Sequence, residues 1–491
     1  MEKRILNAAD LTSHGNVAGR KAMVEILEAG LEATDPYPNT LKLFKIKGNQ
    51  LFVGREEYLP AGSPNTEKEF IDLDKVDRIF VFGAGKGIQN LAKALEDLLG
   101  SRLTAGHVID KKGHPVICQR IGVTLGAHPA PDIDCVRGCE KIVAMIRGAK
   151  LTEKDLVFTC IGNGVSSLLT MPVPGLDIGD VSEVTRVMQI RHGAPTPDLN
   201  TIRNHIDIMK GGRISRYLRP ARAIHILAIS PGIYQQLMYS NNWLHTLPDS
   251  STFQDAIYNI RKFDAWEEIP MSVRKFLEIA DPKWETVRAA EFESWNKRIF
   301  GVMPGYPAVT PPAILAGMKK ARELGFSAKM IADNLRDIEA RHYGIFISAM
   351  CRTIEKSKKP FKPPVALFST GEMVVTVGRE NGIGGRNQEF ALAAAPYIAR
   401  SQTIVVASVD TDGTDGPGFQ YAVGRPKDMP DCLAGGIVDG ETMTEIKEAG
   451  IDIAGELARH NSSPVLWRLK SAVKVTMNIS LIDYTVALVM G

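Results

Sequence analysis

The chain has 491 residues, is 44% hydrophobic and 23% charged, and carries a formal net charge of +3 at pH 7. That is ordinary globular composition at a length too great for one core, so two or three domains are expected. The small charge gives no argument for nucleic acid or a membrane surface as partner, no apolar run reaches the roughly 18 residues that span a bilayer, and the first residues lack a signal-peptide core, so a cytoplasmic protein is expected.

Residues 15–34 carry apolar side chains at helical spacing and predict an amphipathic helix. Residues 36–64 are mixed, with short β-like pieces, and read as an excursion before the main sheet. Residues 78–82 then predict a buried strand, followed by the turn Gly83-Ala-Gly-Lys-Gly87 and a helix over 88–99. Strand, glycine turn and helix open a βαβ unit. Gly85 would let the backbone approach a ligand, and Lys86 could reach an anion held there; a lysine at a helix start is otherwise mildly unfavourable. Only Cys135 and Cys139 among the six cysteines lie close together, so reduced, inert thiols are expected.

The loop Gly126-Ala-His-Pro-Ala-Pro-Asp132 is stiffened by two prolines and could present His128 and Asp132. Residues 155–161 predict a strand that ends in Gly162-Asn-Gly-Val-Ser-Ser167, where Gly164, Ser166 and Ser167 would form a cradle of N–H and hydroxyl donors. A helix is expected over 178–192. If residues 200–213 are helical, Arg203, Asp207 and Lys210 share one face, and Gly211-Gly212 stops the helix. Arg203, His205, Lys210 and Arg213 would then line an anion-binding wall. A strand is expected over 225–229.

Residues 250–297 are helical in pattern, and the proline-rich stretch 304–312 is the best linker candidate. The boundaries drawn are a first domain over 1–297, a linker over 298–312 and a second domain over 313–491. Helices are expected over 313–324 and 329–354, and strands over 365–368 and 373–378. The stretch 381–389, Asn-Gly-Ile-Gly-Gly-Arg-Asn-Gln-Glu, follows, opening a helix. Gly384 and Gly385 allow a tight turn, the helix start offers free N–H groups to an anion, and Arg386 adds a planar fork, with Asn387 and Glu389 beside it. A last predicted strand, 403–408, runs into Asp410, Asp412 and Asp415. These could hold Mg²⁺ through Asp410 and Asp412 or pair with basic side chains.

Five motifs now stand in order: Gly83-Ala-Gly-Lys86, His128-Pro-x-x-Asp132, Asn200-Thr-x-Arg203 with Lys210-Gly-Gly-Arg213, the 381–389 stretch, and Thr411-Asp-Gly-Thr-Asp-Gly-Pro417. Together they resemble the glycerate 2-kinase family, whose C-terminal part is the MOFRL domain and whose members are also labelled hydroxypyruvate reductases. The resemblance implies an α/β protein of two domains with largely parallel sheets and an active site in the cleft between them. It implies ATP, Mg²⁺ and a small hydroxy acid such as D-glycerate. Lys86 and Arg386 match the family's positions for phosphate and substrate contact, Arg203 and Lys210 match further cleft residues, and Asp412 and Asp415 match its acidic turn.

The departures define a diverged member. Val165 stands where the family has a glycine, so a branched side chain is expected to obstruct the cradle; Ser230-Pro-Gly-Ile-Tyr-Gln235 lacks two expected carboxylates, and a Ser-Gly-Pro is replaced near Trp243-Leu-His245. Two enzymes fit. In a kinase, Arg203 and Arg386 hold the carboxylate, Lys86 and Mg²⁺ neutralise the phosphoryl group, and an aspartate of the 410–415 loop orients the attacking hydroxyl. In the alternative, an isomerase, lyase or hydrolase acts on a hydroxy or keto acid without nucleotide, with a divalent metal or none, and Lys86, His128 or an aspartate moves the proton. A non-catalytic metabolite-binding protein is the third class. In each case the partner is a small anion, and a homo-oligomer stays open.

Overall fold

In the computed structural model, residues 3–491 are described apart from 55, 65, 67–68, 114, 304–310, 379, 381, 420–421, 423, 425–426 and 477–481. The chain divides into two compact units, residues 36–307 and residues 1–35 with 308–491. The first long helix, α1 (Val17–Ala33), therefore belongs to the second unit, whereas the sequence boundaries place it in the first. The cause is its apolar stripe. Met23, Ile26, Leu27 and Leu31 are buried in one cluster with Val405, Tyr484, Val486 and Leu488, and the Tyr484 hydroxyl donates to the Ile26 carbonyl at 2.8 Å.

Within residues 36–307, the excursion forms an antiparallel sheet of β1 (Phe44–Lys47), β2 (Gln50–Val53) and β3 (Glu69–Asp72). The main sheet contains β4 (Arg78–Ala84), β5 (Leu103–Lys111), β6 (Gly122–Gly126), β7 (Asp155–Ile161), β8 (Arg222–Leu227) and β9 (Lys297–Gly301), in the order β6-β5-β4-β7-β8-β9. All its pairings are parallel. The chain runs outward from β4 through β5 to β6, then returns to add β7 on the other side of β4. The topological switch point therefore lies between β4 and β7, where open parallel sheets place their ligands. The helices that matter here are α2 (Ile88–Leu99), α3 (Ile133–Ala149), the single turn α4 (Val165–Leu168), α5 (Ile178–Thr185) and α6 (Thr196–His205).

The second unit adds α7 (Pro312–Glu323), α8 (Ala340–Ser357) and α9 (Arg386–Ile398) to a sheet of order β10-β11-β15-β12-β13-β14. Its strands are β10 (Ser327–Glu339), β11 (Val365–Val374), β12 (Ile404–Asp410), β13 (Gly435–Asp439), β14 (Ala472–Val473) and β15 (Asp483–Val489). Only β10 and β11 pair in parallel. β15 runs antiparallel between β11 and β12, and β13 and β14 continue antiparallel. The α/β class is as expected, with one wholly parallel sheet and a second, mixed one.

Several expected elements change. Residues 298–301 belong to β9 rather than to a linker, and 304–310 of the expected linker lie outside the described residues. The helix expected from 329 begins only at Ala340, because Ser327–Glu339 is the edge strand β10. Its half-exposed, bulged pairing leaves no period-two apolar pattern to read. The helix expected over 200–210 is α6, which ends at His205 before Asp207 and Lys210. Of the strand expected over 373–378 only residues 373–374 are strand, as the end of the longer β11, so the approach to α9 is a loop rather than a tight turn.

Candidate functional site

At the switch point, the turns after β4 and β7 are tied together. The Lys86 N–H donates to the Asn163 carbonyl at 2.7 Å, and Gly85 N–H donates to the Ile109 carbonyl at 3.1 Å. Glycine is required where they meet. A Cβ on Gly85 would lie 2.8 Å from Gly162 Cα, and one on Gly164 would lie 2.8 Å from Lys86 Cγ and 3.1 Å from His128 Cδ2. Both glycines thus serve the approach of protein to protein, where the sequence suggested approach to a cofactor. The fold brings Lys86, Gly164 and His128 together.

The start of α2 is not an open anion site. Asp110, at the end of β5, accepts from Gly87 N–H at 2.8 Å and from the Gln89 N–H at 3.3 Å. Burial pushes its pKa up to about 6 against the pull of these hydrogen bonds. The helix start has an internal carboxylate in place of the ligand anion that the sequence suggested. Asp110 had no motif around it, and only the β5 register reveals it.

Lys86 and Arg203 are both buried, at 5% and 4% exposure. Arg203 reaches Thr185 Oγ1 at 3.1 Å and Asn200 Oδ1 at 3.4 Å. Burial, reinforced by Lys86, Lys111 and Arg203, holds the His128 imidazole far below its usual range, so it is neutral. His245 is held down in the same sense by burial and by Lys210, Arg203 and Arg213. Both histidines are thus neutral, chiefly through burial, with cationic side chains adding to the effect. Asp132, by contrast, is a structural group that caps α3 and pairs with Lys112.

The rest of the expected cationic wall is spent internally. Lys210 donates to Thr170 Oγ1 at 2.8 Å and is paired with Asp207 through a buried contact. Arg213 donates to the carbonyls of Asp207, Asn204 and Trp284. His205 bonds the Thr201 carbonyl at 2.8 Å and packs on Phe253. Ser167 Oγ donates to the Ala127 carbonyl at 3.1 Å, fixing the His128 loop. Ser166 Oγ instead lies 2.9 Å from Nε2 of His245, a residue visible in the sequence only as a departure. Val165 is fully buried in the hydrophobic core, so its branched side chain points away from the cradle it was expected to obstruct.

In the second unit, the acidic residues collect where β11 and β12 end and β15 begins. Asp410 and Asp483 are register partners on neighbouring strands. Arg386 Nε donates to Asp483 Oδ1 at 2.6 Å and its Nη2 to Asp410 Oδ2 at 3.1 Å, while Nη1 makes no hydrogen bond among the described residues. The guanidinium is thus largely committed to protein carboxylates, where the sequence offered it to a substrate. The start of α9 is filled as that of α2 is. Asp415 accepts from the Asn387 N–H at 3.0 Å and the Gln388 N–H at 2.8 Å, and burial pushes its pKa up to about 6.

Gly385 is needed for that cap, since a Cβ there would meet Asp415 at 2.4 Å, and one on Gly384 would meet Ser462 Oγ at 2.5 Å. Asn387 Nδ2 bridges Asp415 and Asp483, and Glu389 is held by Arg341 and His460. Asn387 and Glu389 therefore hold the loop together, where substrate contact was expected; Asn381 lies outside the described residues. Asp412 Oδ1 accepts from Thr414 N–H at 2.8 Å. Among the described residues no group of three or more His, Cys, Asp or Glu side chains is arranged to hold a metal. Asp410 and Asp412 do supply two neighbouring carboxylates, the number Mg²⁺ takes when phosphates and water fill its other positions.

A family model described as "Domain of unknown function (DUF4147)" matches residues 22–278, and the MOFRL family model matches residues 365–479. The chain is 30% identical over 447 residues to the glycerate 2-kinase of Pyrococcus horikoshii, covering 91% of this chain and 92% of that one. The chain belongs to the glycerate 2-kinase family. It is 30% identical to the D-glycerate 2-kinase of Thermotoga maritima over 78% of this chain and 84% of that one. A crystal structure of glycerate kinase from Thermotoga maritima aligns at a TM-score of 0.68 and 26% identity, covering 96% of this chain and all of that one (100%). Family membership makes this a kinase-class enzyme. The motifs that carried the resemblance are among the segments just described, and no helix among the described residues is long and apolar enough to cross a membrane.

Proposed function

We propose that the protein is a glycerate kinase that transfers a phosphoryl group from Mg·ATP to a small hydroxy acid such as D-glycerate. The observation that carries this reading is the end of the parallel sheet where Lys86 and Arg203 are buried beside two histidines kept neutral. The carboxyl ends of the strands are where open parallel sheets hold their ligands, and cationic side chains there suit a carboxylate or phosphoryl oxygen.

In this reading Lys86 and Arg203 hold the anionic groups of the reactants and neutralise charge that develops during transfer. Asp410 and Asp412 would hold Mg²⁺, which supplies charge neutralisation to the nucleotide phosphates when bound. Arg386 keeps Asp410 and Asp483 in register and retains Nη1 for a ligand oxygen. Asp412 would orient the acceptor hydroxyl, since Asp415 is consumed as the α9 cap.

Calorimetric titration with Mg·ATP, alone and with D-glycerate, tests the reading, followed by an ADP-release assay. Binding of Mg·ATP with D-glycerate-dependent ADP release is the expected result. Absence of nucleotide binding in both titrations overturns it in favour of the nucleotide-independent isomerase, lyase or hydrolase.

A further inference from the structure

His245 lies in this cluster but has no role in the transfer as proposed. It is 1% exposed, and its Nε2 stands 2.9 Å from Ser166 Oγ. Its Nδ1 is buried and without a hydrogen-bond partner among the described residues. The Ser166 hydroxyl in turn makes no other hydrogen bond among them. Ser166 sits in α4, directly after Gly164, which packs on Lys86 and His128.

The tautomer follows from the orphaned nitrogen. If Nδ1 carried the proton, a buried N–H would face no acceptor among the described residues, in surroundings to which Lys210, Arg203 and Arg213 contribute positive charge. Orphaned buried N–H groups are rarer than under-satisfied acceptors, and positive surroundings favour a lone pair over an unpaired proton. The proton therefore sits on Nε2, which donates to Ser166 Oγ. With its oxygen occupied as acceptor, the hydroxyl must send its own proton elsewhere.

We propose that His245 is a positioning residue: its Nε2–H holds Ser166 Oγ and turns the hydroxyl into a donor for an anionic oxygen bound beside Lys86 and Arg203. The inference rests on the anion-holding role proposed above for this end of the sheet. The oxygen belongs either to the acceptor carboxylate or to a nucleotide phosphate, which share this chemistry.

The tautomer is read directly by ¹⁵N NMR of histidine-labelled protein, with the His245 signals assigned by their loss in His245→Gln. A protonated Nε2 and a bare Nδ1 are expected, and a protonated Nδ1 overturns the proposal whatever reaction the enzyme performs. The function of the pair is read by steady-state kinetics on Ser166→Ala, His245→Leu, the double variant and His245→Gln.

Ser166→Ala and His245→Leu should each raise one KM about tenfold, and the double variant should be no worse than Ser166→Ala. His245→Gln, which offers an N–H near the lost Nε2–H, should stay within about threefold of wild type. A rise in the KM for D-glycerate assigns the oxygen to the carboxylate, and a rise in that for ATP assigns it to phosphate. Effects that multiply in the double variant overturn the proposal. If the wild type turns over neither substrate, the kinase reading fails and inorganic phosphate becomes the probe. Binding weakened about tenfold by His245→Leu then supports the pair, and unchanged binding overturns it.

Discussion

Buried charge decides what individual residues can do here. Lys86 is almost wholly buried, and with Lys111 and Arg203 it helps hold the neighbouring His128 imidazole down. Lys86→Met should weaken anion binding by roughly 2–4 kcal/mol, read as Kd by calorimetry with Mg·ATP and with D-glycerate. Asp110 makes a prediction of the opposite kind. Its folded pKa of about 6 lies above the ordinary 3.8, so the folded state binds the extra proton in that interval. Its contribution to stability is full below about pH 4 and is lost as pH rises through about 6. In urea unfolding, wild type minus Asp110→Asn should fall by roughly 3 kcal/mol between pH 4 and pH 7. A flat difference would mean that Asp110 is not raised.

At the scale of elements, both ligand-like helix starts are capped from within, by Asp110 at α2 and Asp415 at α9. The α9 cap depends on a glycine. A Cβ on Gly385 would sit 2.4 Å from the Asp415 backbone and carboxyl carbon, so Gly385→Ala must push the acidic loop off the helix. Loss of roughly 2 kcal/mol or more is expected in urea unfolding, the scale of a lost cap plus overpacking. Val165 makes a second case. Because it is buried in the core, Val165→Gly should cost roughly 2–4 kcal/mol rather than open the cradle, combining lost burial with a glycine in α4. Unchanged stability with tighter nucleotide binding would restore the obstruction argument.

The helix over 88–99 and the parallel strands over 78–84 and 155–161 were legible because each carries its own periodicity and glycine punctuation. β10 was not, because an edge strand with bulges and polar faces has no short-range signature. The end of α6 at His205 was hidden for a related reason: Asp207, which seemed to extend the charged face, is held instead by the Met171 and Met209 N–H groups.

For the whole molecule, the N-terminal helix α1 is the clearest case of structure against chain order. Four apolar side chains, Met23, Ile26, Leu27 and Leu31, are buried with the second unit's sheet, and Arg20 is buried against Asp439 at 2.5 Å. Deleting residues 1–35 should therefore unfold or aggregate the second unit, since it removes on the order of 6–12 kcal/mol of apolar burial and strands a buried carboxylate. Circular dichroism and size-exclusion of the truncated chain check this; a folded, monodisperse product would show the helix to be dispensable. The sequence by itself determined the α/β class, the family, and the strand-end segments that carry Lys86, His128 and the aspartates, because glycine punctuation and charge are local properties. Tertiary structure alone decided which charges remain for a ligand. Arg386, Arg213, Lys210, Asp415 and Glu389 all find partners far away in sequence or in backbone carbonyls, and such pairing leaves no trace in spacing.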